Sequence, residues 1–548
     1  MIIYQVIPRL FGNRCKRRMV GGSISQNGCG KLNDFNVETL KSIRDLGVTH
    51  LWFTGVVRHA TTTDYSLFGL PNQHSEIVKG KAGSPYAIVD YYDVDPDLAT
   101  DVSKRMGEWE ETIQRTHQVG MKVIMDFVPN HVAREYHSIA KPSDVEDLGE
   151  GDDSNLHFSL NNNFYYCWGK ALDLRQIVDH QHYEECPAKA TGNDYFDNNP
   201  GKCDWYETVK LNYGIDYCGG HRKAFSDNLI PDTWLKMLDI LLFWAKKGID
   251  GFRCDMAEMV PSEFWTFAIT RLKFEYPNII FIGEVYAPDQ YRKYIASGFD
   301  FLYDKVGMYD CLRGVITGTR PTKDITAQWQ ATNDITDHML FFLENHDEQR
   351  IASDFFAGDP WRAIPAHIIC CLLATNPYML YAGQEFGEKG MDSEGFSGCD
   401  GRTTIFDYWS IGTLQRGYLR LGKPLSSEAL LKEKYQQIMH ISENEKAVKE
   451  GRFFDLMYVN PTLGQHQFAW LRKAENDVLL IVVNFSDQAA QVEVMVPRHA
   501  FDVLDLTPGT YHGHDLLSDE IMSLHIDSNA EIPLKLKPND GVVIKWVQ

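Results

Sequence analysis

Short apolar runs recur along most of the chain, and many precede a segment in which apolar residues return with helical spacing. The runs predict β-strands and the segments after them predict α-helices, because the two elements differ in side-chain period. The predicted strands are Ile2–Pro8, Val48–Phe53, Lys122–Val128, Gly251–Asp255, Ile279–Val285, Asp300–Tyr303, Met339–Leu343 and Tyr378–Ala382. The predicted helices are Val37–Leu46, Val102–Val119, Thr233–Lys247 and Pro261–Glu275. This alternation predicts an α/β fold with a parallel sheet, and about eight strands fit a closed (β/α)8 TIM barrel.

Two regions interrupt the alternation of strands and helices. Residues 132–230 are rich in Asn, Asp, Gly, Tyr and His with weak periodicity, which predicts a loop-rich subdomain inserted after the third strand. The last region is all-β in pattern, with strand-like runs at Val478–Asn484, Gln491–Val496 and Val542–Val547. We therefore predict a barrel formed by residues 1–131 and 231–438, the inserted subdomain, and a C-terminal β-sandwich over residues 439–548.

Composition narrows the classes of partner. The chain has 548 residues, 44% of them hydrophobic, which is ample material for a large core and more than one domain. The formal net charge of −21 repels phosphate backbones and anionic lipid surfaces. We expect neither nucleic acid nor a membrane as a partner, whereas a neutral polyhydroxyl substrate is compatible with this charge. The oligomeric state is not readable from the sequence.

The beginning of the chain and its cysteines bear on location and metal binding. The first eight residues lack the basic and long apolar regions of a secretory signal, and no apolar run reaches transmembrane length. We predict a cytoplasmic protein. The 11 cysteines include no CxxC pair, so free thiols are expected rather than a zinc site. One region does gather several Cys and His residues: Cys167, Cys186, Cys203, Cys218, His182 and His221.

Four predicted strands end in polar residues that a plain core strand does not need. The segments are Asp126-Phe-Val-Pro-Asn-His131, Gly251-Phe-Arg-Cys-Asp255, Phe281-Ile-Gly-Glu284 and Phe342-Leu-Glu-Asn-His-Asp347. A single Asp at a strand end is most often a helix cap or a loop residue. Because the carboxyl ends of parallel barrel strands face the same way, all four segments together predict a single pocket.

These four segments closely resemble the conserved regions of the α-amylase family, glycoside hydrolase family 13. Two further segments resemble that family, Tyr86-Ala-Ile-Val-Asp-Tyr-Tyr-Asp-Val-Asp-Pro96 and Tyr381-Ala-Gly-Gln-Glu-Phe-Gly387. The resemblance spans nearly the whole chain and includes the inserted subdomain and the C-terminal sandwich. It implies a retaining glycoside hydrolase that cleaves α-1,4-glucosidic bonds in starch-derived oligosaccharides or maltodextrins.

The resemblance assigns the three catalytic carboxylates. Asp255 matches the nucleophile, Glu284 the general acid/base, and Asp347 the residue that binds sugar hydroxyls and helps to distort the ring. Retention needs the nucleophile and the proton donor about 5–5.5 Å apart. Glu284 must be protonated when the substrate binds, so its surroundings are expected to disfavour the carboxylate.

Further residues are predicted to bind substrate. Arg253 lies two residues before Asp255, on the same side of the strand, where it can hold the nucleophile ionised and oriented. The resemblance places Tyr86 under the sugar on the non-reducing side of the cleaved bond and gives His131 and His346 contacts with its hydroxyls. A structural ion pair would explain Arg350 nearly as well as substrate binding. The predicted set is Tyr86, Asp126, His131, Arg253, His346 and Arg350.

The chain departs from the family pattern just after the nucleophile. Many members carry Lys-His where this sequence has Glu258 and Met259. In those members the pair commonly helps to bind the sugar beyond the cleaved bond. The acceptor side is therefore expected to differ from that of an ordinary endo-acting amylase.

A second departure concerns calcium. Family members usually hold a structural calcium with the Asn that matches Asn130 and with an Asp in the inserted subdomain, and Lys210 stands at the Asp position. An ammonium group cannot ligate calcium but can occupy the place of a cation. We predict no required cofactor and no calcium at the usual site, although Asp194 or Asp216 could supply a replacement carboxylate.

Two other functions remain open from the sequence. A glucanotransferase, or an isomerase similar to trehalose synthase, would use the same carboxylates and differ only in which acceptor attacks. A non-catalytic binding or scaffold protein on the same barrel is a different class. Such relatives usually lose catalytic carboxylates, and all three are present here.

Overall fold

A closed barrel of eight parallel strands forms the centre of the computed structural model, which describes residues 1–226, 228–391, 396 and 400–548. The strands are β1 Ile2–Val6, β2 His50–Phe53, β3 Lys122–Phe127, β4 Gly251–Cys254, β5 Ile280–Gly283, β6 Phe301–Tyr303, β7 Met339–Phe342 and β8 Tyr378–Tyr381. Each strand pairs with its neighbours in chain order, and β1 closes the ring by pairing with both β2 and β8. The predicted TIM barrel is confirmed.

Helices cover the outside of the barrel. They include Val37–Arg44, Arg105–Gln118, Asp232–Lys246, Ser262–Glu275, Tyr291–Ala296, Asp310–Ile316, Asp324–Ala331, Ile364–Leu372 and Ser426–Asn444. The predicted helix from Val102 begins as a single 3₁₀ turn, Val102–Lys104, and becomes α-helical at Arg105. Asp101 caps that turn by accepting a hydrogen bond from the Ser103 amide at 3.1 Å.

The barrel interior is a packed core rather than a pore. Its residues share a position on the inward face of the strands or just above them: Ile3, Trp52, Ile124, Ile282, Tyr303, Tyr309, Leu340, Phe342 and Met379. Strands buried on both faces read as continuous apolar runs, since helices cover the other face. That is why these strands were predictable from sequence. This inward-facing layer of apolar residues lies directly beneath the polar residues at the carboxyl ends of the strands.

The inserted subdomain lies between β3 and the helix Asp232–Lys246. Its strands have two or three residues each, and His131–Ala133 pairs antiparallel with Thr208–Lys210. This pairing brings the end of the subdomain back to the rim of the barrel. It places Lys210 directly opposite His131.

The C-terminal domain is built on β-sheets, as predicted, and also contains a short helix, Arg498–Leu504. Its strands are β9 Arg452–Asp455, β10 Gln467–Ala474, β11 Asp477–Asn484, β12 Ala490–Val496, β13 Gly509–Asp515, β14 Ile521–Ile526, β15 Ala530–Leu536 and β16 Asp540–Val547. Six form an antiparallel sheet in the order β9-β10-β11-β16-β13-β14, and β12 pairs with β15. Buried Arg472 on β10 donates to the carbonyls of Leu373, Ala447 and Val448 at 2.6–3.2 Å, which joins the sheet to the barrel helices.

The described residues, 1–226, 228–391, 396 and 400–548, contain neither a membrane-spanning helix nor a cluster of metal ligands. No helix in these ranges is long and apolar enough to cross a membrane. Within the same ranges, no group of three or more His, Cys, Asp and Glu side chains is arranged to hold a metal ion. The cysteines Cys167, Cys186, Cys203 and Cys218 are free thiols.

Candidate active site

The register of three adjacent barrel strands places three of the predicted carboxyl groups side by side. Asp126 on β3 is the partner of Arg253 on β4. The ladder continues past the strand ends, because the Asp255 amide donates to Phe127 O at 2.9 Å and the Glu284 amide donates to Cys254 O at 3.1 Å. Asp255 and Glu284 therefore leave neighbouring strands at the same height and reach the same space.

A single guanidinium, that of Arg253, contacts three carboxyl groups. Its Nη1 donates to Asp255 Oδ1 at 2.8 Å and reaches Asp126 Oδ1 at 3.4 Å, and its Nη2 lies 2.8 Å from Glu284 Oε2. The Nη2 contact is an ion pair by distance, but its N–H is not directed along a hydrogen bond. Because both Asp255 and Glu284 touch one guanidinium, they are close enough to act on one bond.

Aromatic rings enclose the Arg253 guanidinium. The rings of Trp52, Tyr86 and Tyr303 lie 5.3–5.5 Å from its central carbon, and Arg253 is fully buried. Its Nε donates to the Tyr303 hydroxyl at 3.3 Å. Packing of this kind leaves the planar cation one orientation, so the carboxyl groups it contacts are held in place as well.

The site contains more negative groups than positive ones. Burial raises the pKa of Asp255 well above its usual range, and Glu284 and Asp126 add to the rise against the opposing charge of Arg253. Burial likewise raises the pKa of Asp126 to about 7, and burial and Glu284 raise the pKa of Asp347. Four carboxyl groups around one buried cation favour retention of at least one proton near neutral pH.

Glu284 is held by residues that follow the two strand ends. The Met256 amide donates to Glu284 Oε2 at 2.8 Å, and the Tyr286 hydroxyl donates to Oε1 at 2.6 Å. Met256 itself adopts a left-handed backbone conformation, with φ of 43°. Glu258 accepts from the Tyr286 and Ala287 amides at 3.0 Å each. The residue that departs from the family pattern therefore anchors the loop that carries Tyr286.

Asp347 is positioned by the turn after β7. Asn345 Oδ1 accepts from the Asp347 amide at 2.8 Å, and His346 Nε2 lies 3.1 Å from Asp347 Oδ2. The Gln5 amide group donates to His346 Nδ1 at 2.8 Å, so the neutral ring carries its proton on Nε2. Burial and Arg253 lower the pKa of His346 well below its usual range. Tyr86 stacks on that ring and contacts Nε2 through its hydroxyl at 2.5 Å.

His131 also lines this site. Asn130 Nδ2 contacts its Nδ1 at 3.2 Å, and the Trp205 ring lies 5.2 Å from the imidazole. Burial, together with Lys210 and Lys79, lowers the pKa of His131 to about 3. The ring is therefore neutral and suited to hydrogen bonding with hydroxyl groups.

Asp255, Glu284 and Asp347 line a cavity of about 270 Å³. Its lining is Lys79, Ser84, Tyr86, His131, Trp205, Glu207, Thr208, Asp255, Met256, Glu284, Tyr286, Asp347, Ile405 and Phe406. The volume is slightly below the usual range of small-molecule clefts, about 300–1,000 Å³. A small ligand fits there in contact with all three predicted catalytic carboxylates.

Four of the predicted substrate-binding residues do not line this cavity: Asp126, Arg253, His346 and Arg350. Asp126 and Arg253 lie beneath it and act through the carboxylates above. Arg350 pairs with Glu344 at 2.8 Å, donates to Thr403 and to Ala382 O, and stacks on the Tyr381 ring. Of the two interpretations of Arg350, this favours the structural ion pair.

Several residues that line the cavity were not identified from sequence. Tyr286 follows Glu284 by two residues in an extended segment, and that spacing would have placed the two side chains together. Lys79, Trp205 and Glu207 lie in loop-rich segments, where no periodic pattern indicates which side chains face the barrel. Only tertiary structure brings them to the site.

The position that resembles a calcium site is occupied by an ammonium group. Lys210 Nζ contacts Asn130 Oδ1, Asp194 Oδ1 at 2.6 Å and Met259 O at 3.3 Å, and the side chain is buried. Calcium needs six to eight oxygen ligands, and the oxygens here already accept from Lys210. Asp216 instead accepts from the Gly219 amide at 2.7 Å. The residues at this position therefore do not fit calcium.

Comparisons with known proteins agree with this geometry. Residues 5–446 match the family model described as alpha amylase, catalytic domain. The chain is 22% identical to alpha-amylase 3 of Dictyoglomus thermophilum, over 91% of this chain and 89% of that protein. It is 21% identical to trehalose-6-phosphate hydrolase of Bacillus subtilis, over 88% of this chain and 89% of that protein.

A solved structure provides a comparison of the fold. A noncanonic maltogenic alpha-amylase from Thermotoga neapolitana matches with a TM-score of 0.65 and 18% sequence identity. The match covers 100% of this chain and 99% of that chain. At this identity the likeness concerns the fold alone, and it includes the C-terminal β-domain as well as the barrel.

Proposed function

The chain belongs to the α-amylase family of glycoside hydrolases, and from this premise we propose that it hydrolyses α-1,4-glucosidic bonds in starch-derived oligosaccharides with retention of configuration. The observation that supports this most directly is the shared contact of Asp255 and Glu284 with Arg253. Retaining enzymes need a nucleophile and a proton donor about 5–5.5 Å apart. Two carboxyl groups on one guanidinium meet that need for proximity.

The first step breaks the glycosidic bond. Glu284 donates its proton to the bridging oxygen while a carboxylate oxygen of Asp255 attacks the anomeric carbon, and the shortened sugar leaves as an alcohol. The positive charge that develops on the ring is stabilised by the surrounding carboxylates. Arg253 keeps Asp255 oriented for attack through its 2.8 Å hydrogen bond. The result is a glucosyl ester on Asp255.

The second step releases the sugar. Glu284 accepts a proton from water, the water oxygen attacks the anomeric carbon, and the ester bond to Asp255 breaks. Two inversions at the same carbon give net retention. Asp347 and Tyr86 line the cavity, where they can bind the hydroxyls of the reacting sugar, and His346 Nε2 contacts both of them.

We propose further that the protein needs no calcium next to Asn130. The Lys210 ammonium supplies the positive charge there and joins the inserted subdomain, through Asp194, to the loop after the nucleophile, through Met259 O. Burial lowers the pKa of Lys210, and the Asp194 carboxylate opposes that change. Lys210 thereby joins the inserted subdomain to the loop after the nucleophile without a metal ion.

Product analysis on maltopentaose tests the proposed reaction. We expect only shorter oligosaccharides, released first as the α-anomer, when products are followed by chromatography and proton NMR. The Asp255→Asn variant should lose turnover by on the order of 10³-fold or more, because the nucleophile is removed. Products longer than the substrate would indicate a transferase, and a change of linkage would indicate an isomerase. Unchanged turnover in Asp255→Asn would contradict the catalytic assignment.

Thermal unfolding tests the calcium proposal. The Tm of the wild-type protein should be the same in EDTA and in millimolar calcium, because Lys210 occupies the site. Lys210→Met should lower the stability by about 1–3 kcal/mol, since it removes the partner of a half-exposed carboxylate and of buried Asn130. Lys210→Asp adds a carboxylate beside Asp194, and its Tm should rise with added calcium. A wild-type Tm that falls in EDTA and recovers with calcium would contradict the proposal.

The pH dependence of turnover tests the charges around Asp255. Since Asp255 must be ionised to attack, kcat/KM should fall as the pH falls through its raised pKa. Asp126→Asn removes a negative neighbour and lowers that pKa, so the acid limb of kcat/KM should move to lower pH by about one unit. The matched control is Asp337→Asn, an exposed residue at the amino end of β7. An acid limb that stays in place in Asp126→Asn would contradict this coupling.

A further inference from the structure

One side of the cavity is a wall built from three separate parts of the chain. The wall consists of residues 79–84 from the loop before Tyr86, residues 205–208 from the inserted subdomain and residues 405–407 from the loop after β8. The roles proposed for Asp255, Glu284 and Asp347 do not use these residues. Their arrangement bears on how much of a substrate the cavity can hold.

Direct bonds join two parts of this wall. The Ala82 amide donates to Phe406 O at 3.0 Å, and the Lys81 amide donates to Asp407 Oδ1 at 3.2 Å. Buried Arg9 donates to Ala82 O at 2.9 Å and to Ile405 O at 2.6 Å. The loop before Tyr86 and the loop after β8 are therefore one continuous barrier rather than two separate flaps.

A buried ion pair links the barrier to the inserted subdomain. Lys79 Nζ lies 3.0 Å from Glu207 Oε2, and these residues are 8% and 4% exposed. The Lys79 ammonium also lies 5.3 Å from the Tyr206 ring. Glu207 Oε2 receives no directed hydrogen bond from the residues that the structure describes. Both residues line the cavity, so the pair presents an ammonium group and a carboxyl group to a ligand there.

The position of the wall relative to the cleaved bond follows from the proton donor. Glu284 must face the leaving group, so its contacts Met256 and Tyr286 mark the acceptor side. The wall adjoins residues at the reacting sugar, because the Ser84 hydroxyl accepts from the Tyr86 amide at 3.2 Å and the Trp205 ring packs on His131 at 5.2 Å. A sugar chain that extended beyond the reacting glucosyl unit on this side would meet the wall that contains the Lys79–Glu207 pair.

We propose that the Lys79–Glu207 pair closes the non-reducing side of the cavity, so that the enzyme removes the terminal glucosyl unit and does not cut within a chain. This inference rests on the proposed hydrolysis. Adjacent donor and acceptor groups suit the 4-hydroxyl of a non-reducing end, which in an α-1,4-linked chain is free only on the terminal unit. The small volume of about 270 Å³ agrees with a pocket for one sugar rather than a groove for several.

Two p-nitrophenyl α-maltoheptaosides test the proposal, one with a free non-reducing end and one with its terminal 4- and 6-hydroxyls blocked by an ethylidene group. Products are followed by mass spectrometry. We expect stepwise loss of single glucosyl units from the free substrate and at least 100-fold slower turnover of the blocked one. Similar rates on both would overturn the inference and leave the proposed hydrolysis intact. If neither heptaoside is turned over, both the inference and the proposed hydrolysis are overturned.

Variants of the pair provide a second readout. Lys79→Met combined with Glu207→Leu removes both charges together, which avoids leaving one buried charge unpaired. We expect KM for maltotriose to rise about tenfold or more, the loss typical of a charged hydrogen bond, with a smaller change in kcat. The blocked heptaoside should also become a better substrate relative to the free one. Unchanged KM and unchanged discrimination in a double variant that folds, judged by its Tm, would overturn the inference.

A matched control separates this effect from a general loss of charge in the inserted subdomain. Lys170 pairs with Asp197 at 2.8 Å in the same subdomain, and both side chains are at least half exposed. Neither residue lines the cavity. Lys170→Met combined with Asp197→Leu should leave KM and the discrimination between the two heptaosides as in the wild type.

Discussion

The buried guanidinium of Arg253 is the contact on which the site depends. It is the common partner of Asp126, Asp255 and Glu284, and aromatic rings fix its plane. Without this charge, the carboxyl groups at the ends of adjacent strands would repel one another in a desolvated space. With it, Asp255 and Glu284 share contact with one buried positive charge, which is the proximity that double displacement requires.

Much of the fold and the centre of the site followed from sequence. The barrel strands are buried on both faces and therefore read as unbroken apolar runs, and parallel strands must present their carboxyl ends together. Asp255 and Glu284 were predictable for that reason, and the register places them at one height. The sequence also shows Lys210 where the family resemblance puts a carboxylate, and its ammonium group lies against Asn130 and Asp194.

The wall of the cavity could not be predicted in the same way. Lys79 and Glu207 are more than 100 residues apart in segments without periodicity, and their pairing depends on how the inserted subdomain folds back through Thr208–Lys210. Glu258 was seen as a departure, but its role in anchoring the Tyr286 loop required the backbone geometry. The sequence thus indicates the carboxylates of the site, whereas the packing of the loops shapes the cavity around them.

Trapping the covalent intermediate tests the central claim, that Asp255 is the nucleophile beside Glu284. A 5-fluoro-α-glucosyl fluoride forms the glycosyl ester quickly and releases it slowly, so the labelled protein can be digested and mapped by mass spectrometry. The account predicts one glycosyl adduct on Asp255 and none in the Asp255→Asn variant. An adduct on another residue, or an unchanged adduct in Asp255→Asn, would contradict it.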